Sequence, residues 1–212
     1  MPRKQGVGLS RLILASVWGL SVCAGMGILV AYETQPGEAA SPPERWPETS
    51  GIEKDAERPH LVMLAHPRCP CTRASIGELA RIMASCKGRL VAHVLFLKPG
   101  EFEKDWAHSD LWRSAASIPG VTAVVDENGM EAQRFGATTS GHAVLYDSDG
   151  RLIFSGGITG SRGHFGDNMG RSTVVSLVSN AESRISTEGR VAKCSSYGCP
   201  LFDDKTSPQV EE

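Results

Sequence analysis

The sequence predicts an α/β fold, a three-layer α/β/α sandwich with a mixed sheet, preceded by one N-terminal transmembrane helix. Three observations predict it. Apolar runs of strand length alternate with amphipathic stretches of helix length, in the order β-α-β-α-β-α-β-β-α. Two cysteines, Cys69 and Cys71, stand where the first strand hands over to the first helix. Finally, the 21 residues from Leu12 to Tyr32 carry no charge, close to the roughly 20 needed to cross a bilayer.

The N-terminus sets the orientation. Residues 1–11 hold Arg3, Lys4 and Arg11 and no acid, so this end is expected in the cytoplasm and the rest outside. Residues 12–32 form the anchor. Their apolar run exceeds the roughly 7–15 residues of a cleaved signal, which predicts a retained single-pass membrane anchor. Residues 33–59 are rich in Pro, Glu and Ser and read as a flexible tether. A folded domain is expected over 60–187 and a cysteine-containing tail over 188–212. Without Arg3, Lys4 and Arg11, the 22 basic residues of the chain fall to 19 against 24 acidic ones. No basic block remains to hold phosphates, which excludes a nucleic-acid partner.

Within the domain, Leu61–Ala65 is a short buried strand. Residues 71–86 follow as a helix with Ile76, Leu79, Ile82 and Met83 on one face. Pro70 suits the first helical turn, where its missing N–H costs nothing. Leu90–Leu97 is nearly all apolar, as a central parallel strand would be. Lys98–Asp105 is a charged loop, and Ser109 caps a helix ending near Ser117. Val121–Val125 is a strand closed by the turn Asp126-Glu127-Asn128-Gly129, and Met130–Phe135 is a short helix stopped by Gly136. His142–Tyr146 and Leu152–Phe154 make a hairpin over Asp147-Ser148-Asp149-Gly150. A glycine-rich loop, Gly156–Gly170, precedes a last helix over Arg171–Ile185. Within it, Ser161–Asn168 reads as a surface loop with Asp167 or Asn168 as the helix cap, the alternative being a loop that lines the site or binds an anion at that helix start. The end of the chain, Cys194–Glu212, is expected to be irregular.

The chemistry concentrates at His66-Pro67-Arg68-Cys69-Pro70-Cys71. Free N–H groups and the positive dipole end of a helix stabilise a thiolate. The pair is therefore expected to be reactive or metal-binding. Five cysteines lie outside the anchor, an odd number that leaves one unpaired. Cys86 falls on the apolar helix face and is expected in the core. Cys194 and Cys199 can bridge each other, or Cys199 can fold back as a resolving thiol or ligand. His66 ends the first strand and can tune the thiols. His93 reads as a sheet residue, and His60 and His108 read as surface residues.

Over residues 60–185 this order, with a cysteine pair at the first helix, resembles the thioredoxin-like superfamily. The stretch "DENGMEAQRFGATTSGHAVLYDSDGRLIFSGGI" is similar to the second half of membrane-tethered thioredoxins. "HPRCPCTRAS", "TTSGHAVLYD", "GHFGDN" and "GCPLF" together resemble the bacterial RedB-type proteins. Two positions depart from the superfamily pattern. Cys69-Pro70-Cys71 replaces Cys-x-x-Cys, and Gly141 stands where the cis-proline facing the thiols would be. By resemblance, the loop Ser140-Gly141-His142 faces the thiols, and His142 lies close to Cys69 and Cys71.

The resemblance implies thiol–disulfide exchange through Cys69 and Cys71, with His66 and Cys199 as further catalytic candidates. Exchange needs no cofactor, and its partners are thiols or disulfides of exported or membrane proteins. The alternative is a copper-handling or zinc-binding protein, with Cys69, Cys71 and His142 as ligands to Cu or Zn. A third reading is a redox-inactive scaffold.

Overall fold

The computed structural model describes residues 8–179 and 191–202. It divides into two units, Met1–Gln35 and Pro36–Glu212. The first is helix α1, Leu9–Thr34. Its mean hydropathy reaches 2.1 and none of the most apolar stretch is buried, so its length and composition suit an apolar environment.

The second unit is built on a six-stranded sheet. Its strands are β1 (His60–Ala65), β2 (Val91–Lys98), β3 (Val121–Glu127), β4 (His142–Tyr146), β5 (Leu152–Gly157) and β6 (Ala192–Lys193). The order across the sheet is β3-β2-β1-β4-β5-β6. Strands β1, β2 and β3 run parallel. Strand β4 is antiparallel to both β1 and β5. The sheet is therefore mixed, as the sequence predicts. The two residues of β6, parallel to β5, are too few for any pattern to announce.

Alternation along β1 and β2 divides the core between the two faces. Leu61, Met63, Ala65, Val94 and Phe96 point to one side. There they meet α2 (Pro70–Cys86), α3 (Asp110–Ala116) and α5 (Met169–Ser179) through Ile76, Leu79, Ile82, Leu111, Val174 and Val178. Cys86 is fully buried in this cluster, the packing role its position predicts. The expected continuation of α5 to Ile185 falls outside the described residues beyond Ser179. Val62, Leu64, Leu95, Val144 and Tyr146 point to the other side. Among the described residues, the only helix there is α4 (Met130–Arg134), five residues long, too short to cover a sheet face.

The segment expected to be a flexible tether supplies the missing cover. Trp46 packs on Phe135 and Tyr146 with ring centroids 5.1 and 5.4 Å apart, and Ile52 is buried in the same cluster. Tyr146 Oη donates to the Pro43 carbonyl. Arg45 pairs with Arg151 as an antiparallel bridge. Ser50 Oγ donates to Glu131 at the start of α4. An average over a Pro- and Glu-rich stretch hides two apolar anchors, and those anchors decide its fate.

His60 corrects a second expectation. It is fully buried, with its ring 4.8 Å from that of Trp46. Its Nδ1 accepts the Asp55 N–H, which puts the proton on Nε2, and Nε2 donates to His93 Nδ1 at 2.6 Å. Burial, then the neighbouring His93, pushes the His60 pKa down to about 4. His93 is lowered by burial too. The unfolded chain protonates near 6.5, before the folded one does. Stability from the neutral pair is therefore full above about pH 6.5 and lost as pH falls through about 4. A urea series from pH 7 to pH 4 is expected to show a loss on the order of 2 kcal/mol. His60→Gln should flatten that decline.

Candidate functional site

The site forms where β1 ends and α2 begins. His66 to Arg68 make a tight turn, with the Cys69 N–H donating to the His66 carbonyl at 3.1 Å. Cys69 is the N-cap of α2, in extended backbone, and Pro70 opens the helix as predicted. Cys71 therefore lies in the first turn. Both cysteines are buried, at 2% and 8% exposure. The tail covers them. The Ser140 N–H donates to the Cys199 carbonyl, the Leu201 N–H donates to the Thr138 carbonyl, and Thr139 and Pro200 form an antiparallel bridge. Leu201 then buries its side chain in the second core cluster.

This docking brings a third sulfur to the pair. The Sγ atoms of Cys69, Cys71 and Cys199 all lie within 4.8 Å of one another. The Cys199 thiol, donating to Cys69, is the largest influence holding the Cys69 pKa down to about 4. Burial opposes it, while the N–H groups of Cys199 and Thr72 and the Thr72 hydroxyl add to it. Cys69 is thus the thiolate of the three. Burial, then the charge on Cys69, pushes the Cys71 pKa up. Cys199 is pushed up because its proton is given to Cys69.

The Thr72 hydroxyl belongs to a directed chain. Ser140 Oγ accepts the His66 N–H at 2.8 Å and lies 2.7 Å from Thr72 Oγ1. With the Thr72 hydroxyl proton on the Cys69 sulfur, Thr72 Oγ1 accepts from Ser140. Gly141 follows, with φ at +85° and its N–H on the Leu64 carbonyl at 2.7 Å. A Cβ there would stand 2.7 Å from Ser75 Oγ. The loop Ser140-Gly141-His142 reaches the site indirectly, through the Ser140 hydroxyl on Thr72 and the Ser140 N–H on the Cys199 carbonyl.

His142 does not join the sulfurs. Its Nδ1 is 2.7 Å from Ser196 Oγ and its Nε2 is 3.1 Å from Ser155 Oγ. Both nitrogens are spent on hydroxyls, and burial pushes the pKa down to about 4. It ties the tail to β5. His142 therefore lies apart from Cys69 and Cys71, and the third side chain beside them is Cys199. The His66 ring accepts the Arg68 N–H at Nδ1 and meets Trp106 edge-on at 5.4 Å. Cys194 lies outside the sulfur cluster and packs against the first core cluster.

The glycine-rich loop is more than surface. Asn168 caps α5 by accepting the Arg171 N–H at 2.8 Å, one of the two caps expected. Arg162 donates to the Gly198 carbonyl, and its charge acts on Cys71 and Cys199. Sequence reading missed Thr72; its register, one residue after Cys71, was the available signal. The loop is fastened by Glu78, whose fully buried carboxylate accepts from Arg171, Arg81 and the Gly166 N–H at 2.8, 2.9 and 3.0 Å. Glu78→Ala leaves Arg171 without its buried partner. It should cost about 3–5 kcal/mol in a urea unfolding series, with Glu78→Gln costing less.

No protein-family model and no curated protein matches the chain. Solved structures share its fold. A hypothetical protein of Sinorhizobium meliloti 1021 is similar at 17% identity, with a TM-score of 0.59, over 80% of this chain and 97% of that one. An uncharacterized conserved protein of Geobacillus kaustophilus is similar at 13% identity, with a TM-score of 0.56, over 84% and 95%. A secreted Mycobacterium tuberculosis disulfide oxidoreductase reaches a TM-score of only 0.42 at 15% identity, over 58% and 81%. Three parallel strands, an antiparallel pair beyond the first of them and a cysteine pair opening the first domain helix give this chain a thioredoxin-like fold.

Proposed function

We propose that this chain is a thiol–disulfide oxidoreductase in which Cys69 is the attacking thiolate. The single observation that carries the reading is the hydrogen-bond set on Cys69. A thiol, main-chain N–H groups and a hydroxyl converge on one sulfur at a helix N-terminus and hold its pKa near 4. A structural cysteine has no use for such donors.

The Cys69 thiolate attacks one sulfur of a partner disulfide, and the other partner sulfur leaves as a thiolate. That thiolate takes the proton of Cys199 or Cys71, whichever then attacks Cys69 Sγ. The second partner sulfur is released. The partner disulfide is reduced by two electrons, and the chain gains one disulfide. Run backwards, the same steps oxidise a partner dithiol. Cys199 is the resolving sulfur because it already hydrogen-bonds Cys69, whereas Cys71 leaves the cap from the same short turn. Of the bridges the sequence leaves open, Cys69 with Cys71 or with Cys199, this reading takes the second.

In this reading α1 is an inner-membrane anchor, the domain faces the periplasm, and the partners are exported or membrane proteins. The uncharged length of α1 and its basic flank support that placement.

A glutathionylated peptide tests the reading. The reduced full-length chain in detergent should release glutathione from it, and Cys69→Ala should abolish the release. Release that survives Cys69→Ala would remove Cys69 from the role.

A further inference from the structure

The cluster of Cys69, Cys71 and Cys199 has a second chemical use that exchange does not need. Its three sulfurs lie within 4.8 Å of one another. At metal–sulfur distances of about 2.3 Å, three sulfurs in a trigonal plane stand about 4 Å apart. Small side-chain rotations thus close a ring around an ion. Cys69 and Cys71 are almost fully buried, so water is a poor competitor there.

Among the described residues, no histidine or carboxylate completes the cluster, and His142 has both nitrogens on serine hydroxyls. Structural zinc takes four ligands in a tetrahedron. Three thiolates with no fourth ligand suit a soft monovalent ion. The α2 N-terminus and Arg162 lie beside the sulfurs, and both offset the negative charge that three thiolates around one monovalent ion retain.

We propose that Cys69, Cys71 and Cys199 form a trigonal thiolate site for Cu(I), assembled when the tail docks on the Thr138–Ser140 loop. The ion enters, the thiol protons leave to solvent, and no electron moves. Two sulfurs come from the cap and first turn of α2 and one from the tail, so ion binding also clamps the tail in place. The proposal rests on the sulfur geometry and goes beyond the exchange reading.

The test is a Cu(I) titration of the reduced full-length chain in detergent, without oxygen, against the chelator bathocuproine disulfonate. One ion per chain should be withheld, with an X-ray absorption shell of three sulfurs at about 2.3 Å. Cys69→Ser, Cys71→Ser and Cys199→Ser should each weaken binding by more than the roughly 10–100-fold that losing a supporting group costs. Gly198→Ala keeps all three cysteines but forbids tail docking, and should weaken binding in the same way. The proposal is overturned if the chelator strips wild type completely, or if Cys199→Ser holds copper as tightly as wild type. Glutathione release without copper retention would sink this proposal alone. Copper retention without glutathione release would sink the exchange reading alone.

Discussion

Cys199→Ala is expected to raise the pH at which Cys69 becomes a thiolate by more than about one unit. The thiol of Cys199 is the largest influence holding Cys69 down to about 4. Its loss leaves the N–H of residue 199 and the Thr72 N–H and hydroxyl to oppose burial, so the titration moves toward the ordinary cysteine value near 8.5. Alkylation of Cys69 by iodoacetamide across pH, followed peptide by peptide in a mass spectrometer, reads the shift directly. The same variant keeps Cys71, so any residual exchange reports what the Cys-Pro-Cys pair achieves alone. An unchanged profile would mean that Cys199 does not act on Cys69.

Gly198→Ala should produce the same shift with every thiol still present. A Cβ at Gly198 would lie 1.9 Å from the Ser140 carbonyl oxygen, a backbone atom that cannot move aside cheaply. The tail must lift, and Cys199 leaves with it. Cys69 is only 2% exposed, so reagents now reach it only after local opening. Its alkylation at high pH should therefore quicken on the order of tenfold once the cover is gone. A variant that lowers stability but leaves both profiles intact would show that the tail does not govern the thiolate.

Part of this architecture was legible in the sequence because it is local. The handover from Ala65 through Pro70 to α2 is written in a strand period, a proline and a helix period. The Ser109 cap accepts the Trp112 N–H as expected. The hairpin over Asp147–Gly150 follows from its turn residues. Each of these is decided within a few positions of itself.

The rest depends on contacts between distant segments. Nothing near Trp46 says that its ring will cover Tyr146, about a hundred residues on. The pairing of Pro200 with Thr139 has no period at all, and only the run Gly198-Cys199-Pro200-Leu201-Phe202 marks it. In hindsight each residue there has a physical reason. Gly198 permits the close approach, Cys199 meets the thiolate and Leu201 fills the second core. His142 misled for the converse reason. Its place in the loop was read correctly, but its ring turns to Ser155 and Ser196, serines that no motif singled out.

The most direct test of the central claim is to equilibrate the full-length chain across a glutathione redox buffer, trap free thiols, and map the disulfides. A reversible Cys69–Cys199 disulfide should appear first, with Cys71, Cys86 and Cys194 still trapped as thiols. A chain whose Cys69 stays reduced across the whole buffer range, or bridges only to Cys71, would contradict it.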